Sequence, residues 1–365
     1  MKTQRVVLLA SAACSLLRFL WILRVPDVDM DAYGHFVVAR TLLHDPWNLS
    51  AHWVWLPLYH YVLTALIALH GTFGMARVLA SLASASLPLI VHRYAADGDG
   101  RVAALAAVGC AVAALPNVLG VSAQQEALFA LLVLSSAWCI DRRRTLAASA
   151  LLAAACLVRY EAWGAFGLLV AQTLLSRRFP RLLPRPFREP LPLALLALPA
   201  AAILGFVLWH RAVDGRFFAF LEELYRYTHA QRGTLSRGPV FDTLYFPVLL
   251  PLLLFGPAVI LAVLGAPGAC RPGWILPMGI YLFLLASYLG KGSLGGGRYY
   301  GSLAPFVCWA IAEGARRVAT RRFALASWLV LFSLVATTGI AFVRLHAEAE
   351  GAREELARAV ARVAG

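Results

Sequence analysis

The sequence predicts an all-α protein that crosses a membrane many times, and three observations predict it. Of 365 residues, 61% are hydrophobic and 14% charged, with a mean hydropathy of +0.71, far more apolar than a soluble domain. The apolar residues gather in runs near the length of about 20 residues that a helix needs to cross a bilayer. The arginines sit in the short loops between those runs, as the orientation bias of membrane proteins requires. For the same reason the net charge of +14 does not read as a nucleic-acid face, and no nucleic-acid partner is expected.

Taken in order, the first run, 6–23, follows Lys2 and Arg5 and meets no small-residue cleavage site before the next charges, so it reads as a retained anchor. An acidic cluster follows, Asp27, Asp29 and Asp31, leading with Tyr33 and His35 into a short helix. Carboxylates beside an apolar run are costly inside hydrocarbon, so this cluster belongs at the water boundary. The passage through Trp47, Trp53, Trp55, Tyr59 and Tyr61 has the aromatic density of the headgroup zone. Run 57–69 is too short to span and is expected to lie in the interface, whereas 74–91 is about long enough.

The loops at Arg142 to Arg144, 177–188 and 316–322 should all face the cytoplasm. That places the N-terminus inside and the first loop, 24–73, outside. Runs 102–115 and 127–140 then go out and back. The block 145–175 has arginine loops at both ends, so it must be a hairpin, with its outer turn at 159–163. Run 191–209 leads to an outer loop, 210–246, whose Phe217, Phe218, Phe220, Leu221, Leu224 and Tyr225 predict another interfacial helix. Runs 248–264, 274–289, 302–315 and 323–343 complete about eleven spans by the length rule. The tail 344–365 alternates Glu and Arg at helical spacing and reads as a short solvated helix on the outer side. No internal repeat is visible.

The six cysteines are scattered without a CxxC pair, which argues against a zinc site or a disulfide framework. His44, His52, His60 and His70 lack the HExxH spacing, and His35, four residues after Asp31, fits a packing or substrate contact better than a metal pair, so no metal ligand is assigned. Gly295 to Gly297 is not a phosphate-binding Walker loop, since the GxxxxGK[ST] order is missing. The topology, fixed from arginines and lengths, gathers Asp27, Asp29, Asp31, Glu126, Arg159, Glu161, Lys291 and Arg298 on the outer side. Carboxylates beside cations at a membrane boundary suit displacement of a phosphate leaving group by a hydroxyl: the carboxylate takes the proton and the cations offset the phosphate charge. Taken singly, loop charges such as Asp27, Glu161 and Lys291 also fit plain solvation, and Arg159 at the end of a span also fits snorkelling.

In their order and shared side, these segments resemble the GT-C superfamily of membrane glycosyltransferases. The segment from Asp31 to Arg40 looks like the acidic opening of the family's first interfacial helix, and Trp55-Leu56-Pro57-Leu58-Tyr59 like the proline-tyrosine segment of the second. Gln125-Glu126-Ala127, Arg159-Tyr160-Glu161 and Gly297-Arg298-Tyr299-Tyr300 are similar to the later acidic, Arg-aromatic-Glu and arginine-tyrosine segments. Two departures are Ala32, where many members carry a second acid, and Trp55 and Leu56, where some carry a lysine. No WWDYG-like motif and no large soluble domain is seen, which weighs against an oligosaccharyltransferase.

The resemblance implies a bundle of about eleven transmembrane helices in one domain, 1–343, with interfacial helices in the first outer loop. It implies inverting transfer of a sugar, commonly mannose in the family, from a polyprenyl-phosphate carrier to a hydroxyl of a glycan, lipid or protein on the extracytoplasmic face. Asp31 would be the general base, Asp29 its neighbour or substitute, and Glu126 would orient the acceptor or a divalent cation; no other cofactor is implied. Arg159, Arg298 and Lys291 would hold the donor phosphate, and Tyr33, His35, Tyr59, His60, Glu161 and Tyr299 would contact substrate. The rival classes are a flippase or transporter of a lipid-linked sugar, which should carry mid-membrane charges and related halves, and a membrane scaffold, in which Asp29 and Asp31 are dispensable.

Overall fold

The computed structural model describes residues 2–232, 239–293, 295–320 and 322–364, and the regular structure among them is all helical, with no strand. The first helix, α1 (Lys2–Arg24), leads through an extended stretch to α2 (Met30–His44). Asp29 caps α2, its carboxylate accepting from the backbone N–H of Asp31 at 2.9 Å and of Ala32 at 3.3 Å. After a 3-10 turn at Leu49–His52, α3 (Pro57–Ala68) begins with proline at its first position, where no N–H is missed. It packs on α2, and Thr64 Oγ1 donates to Ala39 O at 3.1 Å. Next come α4 (Phe73–Ala95), α5 (Gly100–Val112), the short α6 (Ala114–Leu119), α7 (Glu126–Asp141), α8 (Thr145–Cys156) and α9 (Glu161–Arg178). The expected hairpin over 145–175 is present as α8 and α9, turning at 157–160.

The chain continues through α10 (Ala194–Val213) and α11 (Ala219–Arg232), the helix expected around Phe217 to Tyr225; the end of that loop, 233–238, lies outside the described residues. The run expected at 248–264 is one broken rod: α12 (Pro239–Leu244), a π turn, α13 (Leu250–Phe255) and α14 (Val259–Ala269). Its break falls at Gly256, whose φ of +61° suits a residue without Cβ. Then follow α15 (Ile275–Leu289), a 3-10 turn at Gly297–Tyr300, α16 (Ala304–Val318) and α17 (Phe323–Ala364). The tail expected as a separate helix after 343 continues α17 without interruption.

Among the described residues six helical stretches, the broken rod of α12 to α14 counted as one, are long and apolar enough to cross a membrane, which makes this an integral membrane protein. Others, including α5 and α8, are shorter, and α5 is largely enclosed. Lipid-type surface is carried by the outer helices, where Leu9, Leu17, Val263, Trp328 and Phe332 are exposed. Alanine is the commonest buried residue in each of α5, α7 and α16. Backbones approach most closely between α14 and α16, where a Cβ on Gly265 would lie 1.8 Å from Ala310 O and one on Gly314 would lie 2.0 Å from Leu261 O.

The two ends of the bundle differ in chemistry. At one, Asp97 holds Arg142 at 2.7 Å and Arg271 at 3.1 Å, Arg143 reaches Glu189, and Asp141 accepts from Tyr94 and from Gly273 N–H. The other end is stitched by Asp27, which accepts from Ser122 Oγ at 3.1 Å and Ala123 N–H at 3.0 Å, and by Tyr59, whose hydroxyl donates to Ala123 O at 2.8 Å. Leu58 N–H donates to Leu157 O at 2.9 Å. The starts of α2, α3 and α7 and the turn before α9 are thereby drawn to one place.

Candidate active site

That junction encloses a cavity of about 290 Å³ lined by Asp31, His35, Glu126, Arg159, Glu161, Arg298 and Tyr299 among others. Each charged group arrives from a different element: Asp31 from the first turn of α2, Glu126 and Glu161 from the first turns of α7 and α9, Arg159 from the turn before α9, and Arg298 from the 3-10 turn before α16. Carboxylates in first turns face the positive end of the helix dipole.

The charges alternate in a row. Arg298 Nη1 lies 2.5 Å from Asp31 Oδ2, and its Nε lies 3.7 Å from Glu126 Oε1. Glu126 Oε1 also accepts from Arg159 Nη1, and Arg159 grips Glu161 through Nη2 at 2.7 Å and Nε at 3.0 and 3.1 Å. The Tyr299 ring lies under both guanidiniums, 5.2 Å from Arg159 and 5.7 Å from Arg298. Burial alone would pull both guanidiniums down; Glu161 and Glu126 more than reverse this at Arg159, as Glu126, Tyr299 and Asp31 do at Arg298, so both are held above the ordinary range and stay charged. Glu126 Oε2 is buried without a hydrogen-bond partner among the described residues.

The expected residues divide into two groups. Asp31, His35, Glu126, Arg159, Glu161, Arg298 and Tyr299 converge on the cavity. Asp29 does not: its carboxylate is spent on the cap of α2. Tyr33 stacks on Phe73 at 4.3 Å and donates to Asp27 O at 3.0 Å, turned away from the lining. Tyr59 is buried as a stitch, and His60 sits wholly buried behind His35. Lys291 is exposed, next to but not in the lining, and position 294 of its loop lies outside the described residues. Asp27 is a buried carboxylate whose pKa burial raises, with hydrogen bonds from Ala123 and Asp29 offsetting part of the rise; its work is to join loops.

Sequence reasoning missed Trp53 and Trp55 as cavity walls, having assigned them to the headgroup zone. It also missed Leu224, Tyr225 and Thr228 of α11, which close one side. The aromatic density around Trp53 was the available signal. Among the described residues no group of three His, Cys, Asp or Glu side chains is placed to hold a metal ion, and every carboxylate lining the cavity already faces a guanidinium. This donor set does not fit a divalent cation as it stands.

No family model matches the chain, and no curated protein does. Solved structures match in fold. The oligosaccharyltransferase of Archaeoglobus fulgidus, crystallised with zinc and sulfate, superposes with a TM-score of 0.58 at 15% identity over 93% of this chain and 53% of its own. ArnT from Cupriavidus metallidurans, bound to undecaprenyl phosphate, superposes with a TM-score of 0.59 at 18% identity over 88% of this chain and 62% of its own. AglB from Archaeoglobus fulgidus, in complex with an inhibitory peptide and a dolichol-phosphate, gives 0.54 at 12% over 95% and 56%. The chain spans about half the length of the archaeal proteins.

Proposed function

We propose that this chain, whose fold is that of the GT-C membrane glycosyltransferases, moves a sugar with inversion from a polyprenyl-phosphate carrier to a hydroxyl acceptor. The observation that carries the reading is the alternating row Asp31, Arg298, Glu126, Arg159, Glu161 along one cavity wall. The acceptor hydroxyl gives its proton to Asp31 as its oxygen attacks the anomeric carbon. The bond from that carbon to the phosphate oxygen breaks, and the phosphate leaves with the electron pair toward Arg298 and Arg159.

The ion pairs give the donor a second task. Arg298 is about one-third exposed and holds Asp31, whereas Arg159 is buried between two glutamates. An arriving phosphate competes with Asp31 for the Arg298 fork, and the released carboxylate is then free to accept a proton. Arg159 acts mainly through Glu126 and Glu161, which it fixes in place, and Glu126 orients the acceptor. Lys291, exposed in the neighbouring loop, meets the phosphate on entry. The neighbours bound to undecaprenyl phosphate and dolichol-phosphate support a lipid-linked donor. We further read the helices that run between the two ends as about eleven crossings, with the arginine loops and N-terminus in the cytoplasm and the cavity on the extracytoplasmic side. Mannose is the first donor sugar to try.

The test is turnover of a panel of polyprenyl-phosphate sugars by purified protein. Asp31→Asn should lower kcat roughly 10²- to 10⁴-fold while the donor still binds. Near-normal turnover by that variant removes the base assignment, and neither transfer nor hydrolysis with any donor favours a lipid-linked-sugar transporter instead.

A further inference from the structure

Behind Asp31 lies a polar layer that the transfer chemistry above leaves unused. His35, one turn along α2 from Asp31, lines the cavity; its Nδ1 lies 2.8 Å from His60 Nε2, and His60 Nδ1 lies 2.7 Å from His52 Nδ1. The three rings are 2%, 0% and 1% exposed. Trp55 and Tyr59 wall the row, with ring centroids 4.4 and 5.3 Å from His35. Each contact needs one N–H and one lone pair, and a neutral imidazole carries one of each. His60, engaged at both nitrogens, must donate on one side and accept on the other, so the row has a single direction.

The neutral state follows from the surroundings. Burial, then Arg159 and Arg298, push His35 down to about 3; burial, then His210, push His52 down to about 4; burial and its two neighbours push His60 well below its usual value. Asp31, Arg159 and Arg298 face the cavity end of the row, and His210 faces the other. Asp31, Glu126 and Glu161 also line the cavity, but the charges that weigh on His35 are those of Arg159 and Arg298, which favour a lone pair over an N–H on the ring edge turned toward them. His35 therefore donates from Nδ1 to His60 and His60 from Nδ1 to His52, which leaves His52 with its proton on Nε2, buried without a partner among the described residues, and His35 Nε2 as an acceptor on the cavity.

We propose that His35 Nε2 is a second anchor for the acceptor, receiving a hydroxyl adjacent to the one Asp31 deprotonates, with His60 and His52 as positioning residues that hold this tautomer. The inference rests on the transferase reading and gives it a substrate class. Asp31 and His35 stand four residues apart on one helix face, about 5–6 Å between their Cβ atoms. Two acceptors at that separation match two neighbouring hydroxyls, as on a sugar or other polyol, better than the lone hydroxyl of a serine side chain. Trp53 and Trp55 supply apolar walls for the carbon faces of such a ring.

Histidine ¹⁵N magnetic resonance of the full chain in liposomes tests the row directly. The expected result is N–N coupling from His35 to His60 and from His60 to His52, with His35 Nε2 unprotonated and unchanged between about pH 7.5 and 5.5. Absent couplings, or a protonated Nε2, overturn the proposal. Kinetics test the purpose, with a polyprenyl-phosphate sugar as donor and an alkyl glycoside as acceptor. His60→Leu should raise the acceptor KM about tenfold and leave the donor KM alone, while His60→Gln, whose amide oxygen still accepts from His35, should recover most of the loss. If His60→Leu does not fold, His52→Phe at the far end of the row gives the same readout. Leu tolerated as well as Gln means the row merely packs, and a serine peptide used as readily as the glycoside overturns the polyol class. A wild-type chain with intact couplings that transfers from no donor sinks the transferase reading, and the substrate assignment with it, while the histidine row stands.

Discussion

Arg159 carries more of the site than any other single side chain, because two buried glutamates depend on it. Removing one partner of a buried ion pair leaves the other charge without water or counter-ion, a loss of about 3–5 kcal/mol. Arg159→Leu should therefore unfold the protein at markedly lower temperature in detergent, and Arg159→Lys, which keeps the charge but not the fork, should lie between it and the wild type. A stable Arg159→Leu would show that Glu126 and Glu161 do not depend on it. The histidines make a pH prediction of definite sign. His35 and His52 bind a proton less readily folded, at about 3 and about 4, than unfolded, at 6.5. Stability is thus fullest above 6.5 and is lost as pH falls through that value toward about 4 and 3. Thermal midpoints measured from neutral pH down to about 5 should decline, and less steeply in His60→Gln, which has one such group fewer.

At the scale of the element, α2 separates two neighbouring aspartates that look alike in the sequence. Asp29 caps the helix and Asp31 faces the cavity. Asp29→Ala should cost about 1 kcal/mol through the lost cap, visible as a lower thermal midpoint. Asp31→Asn should leave that midpoint nearly unchanged and act on kcat. If both variants behave alike, the division of labour is wrong. The packing of α14 on α16 makes a second case. Gly265→Leu has no room beside Ala310 O and Gly314 N, so the two helices must part, and misassembly seen as aggregation on detergent extraction is the expected result.

For the whole molecule, the bundle separates its chemistry by end: arginine loops and acidic staples at one, the cavity at the other. The orientation proposed from the arginine bias has a direct check. A cysteine replacing Lys291 should react with a membrane-impermeant maleimide in intact cells, and one replacing Arg143 should react only after lysis. The reverse pattern would put the cavity in the cytoplasm. Both positions are exposed, so access is not limited by burial.

The sequence by itself determined the helical membrane class, the hairpin over α8 and α9, the short α3 and the convergence of Asp31, Glu126, Arg159 and Arg298. Apolar run length, arginine placement and carboxylate cost act locally and leave their mark residue by residue. Tertiary structure decided what those rules do not reach. Asp29 and Asp31 differ only in where the helix starts, which the cap geometry sets. Helix lengths mislead where a short helix such as α5 is enclosed by others. His52 and His60, eight residues apart, and His35, on another helix, become one row only when α3 packs on α2. Direction in such a row belongs to the field of groups far along the chain, and no window of sequence contains it.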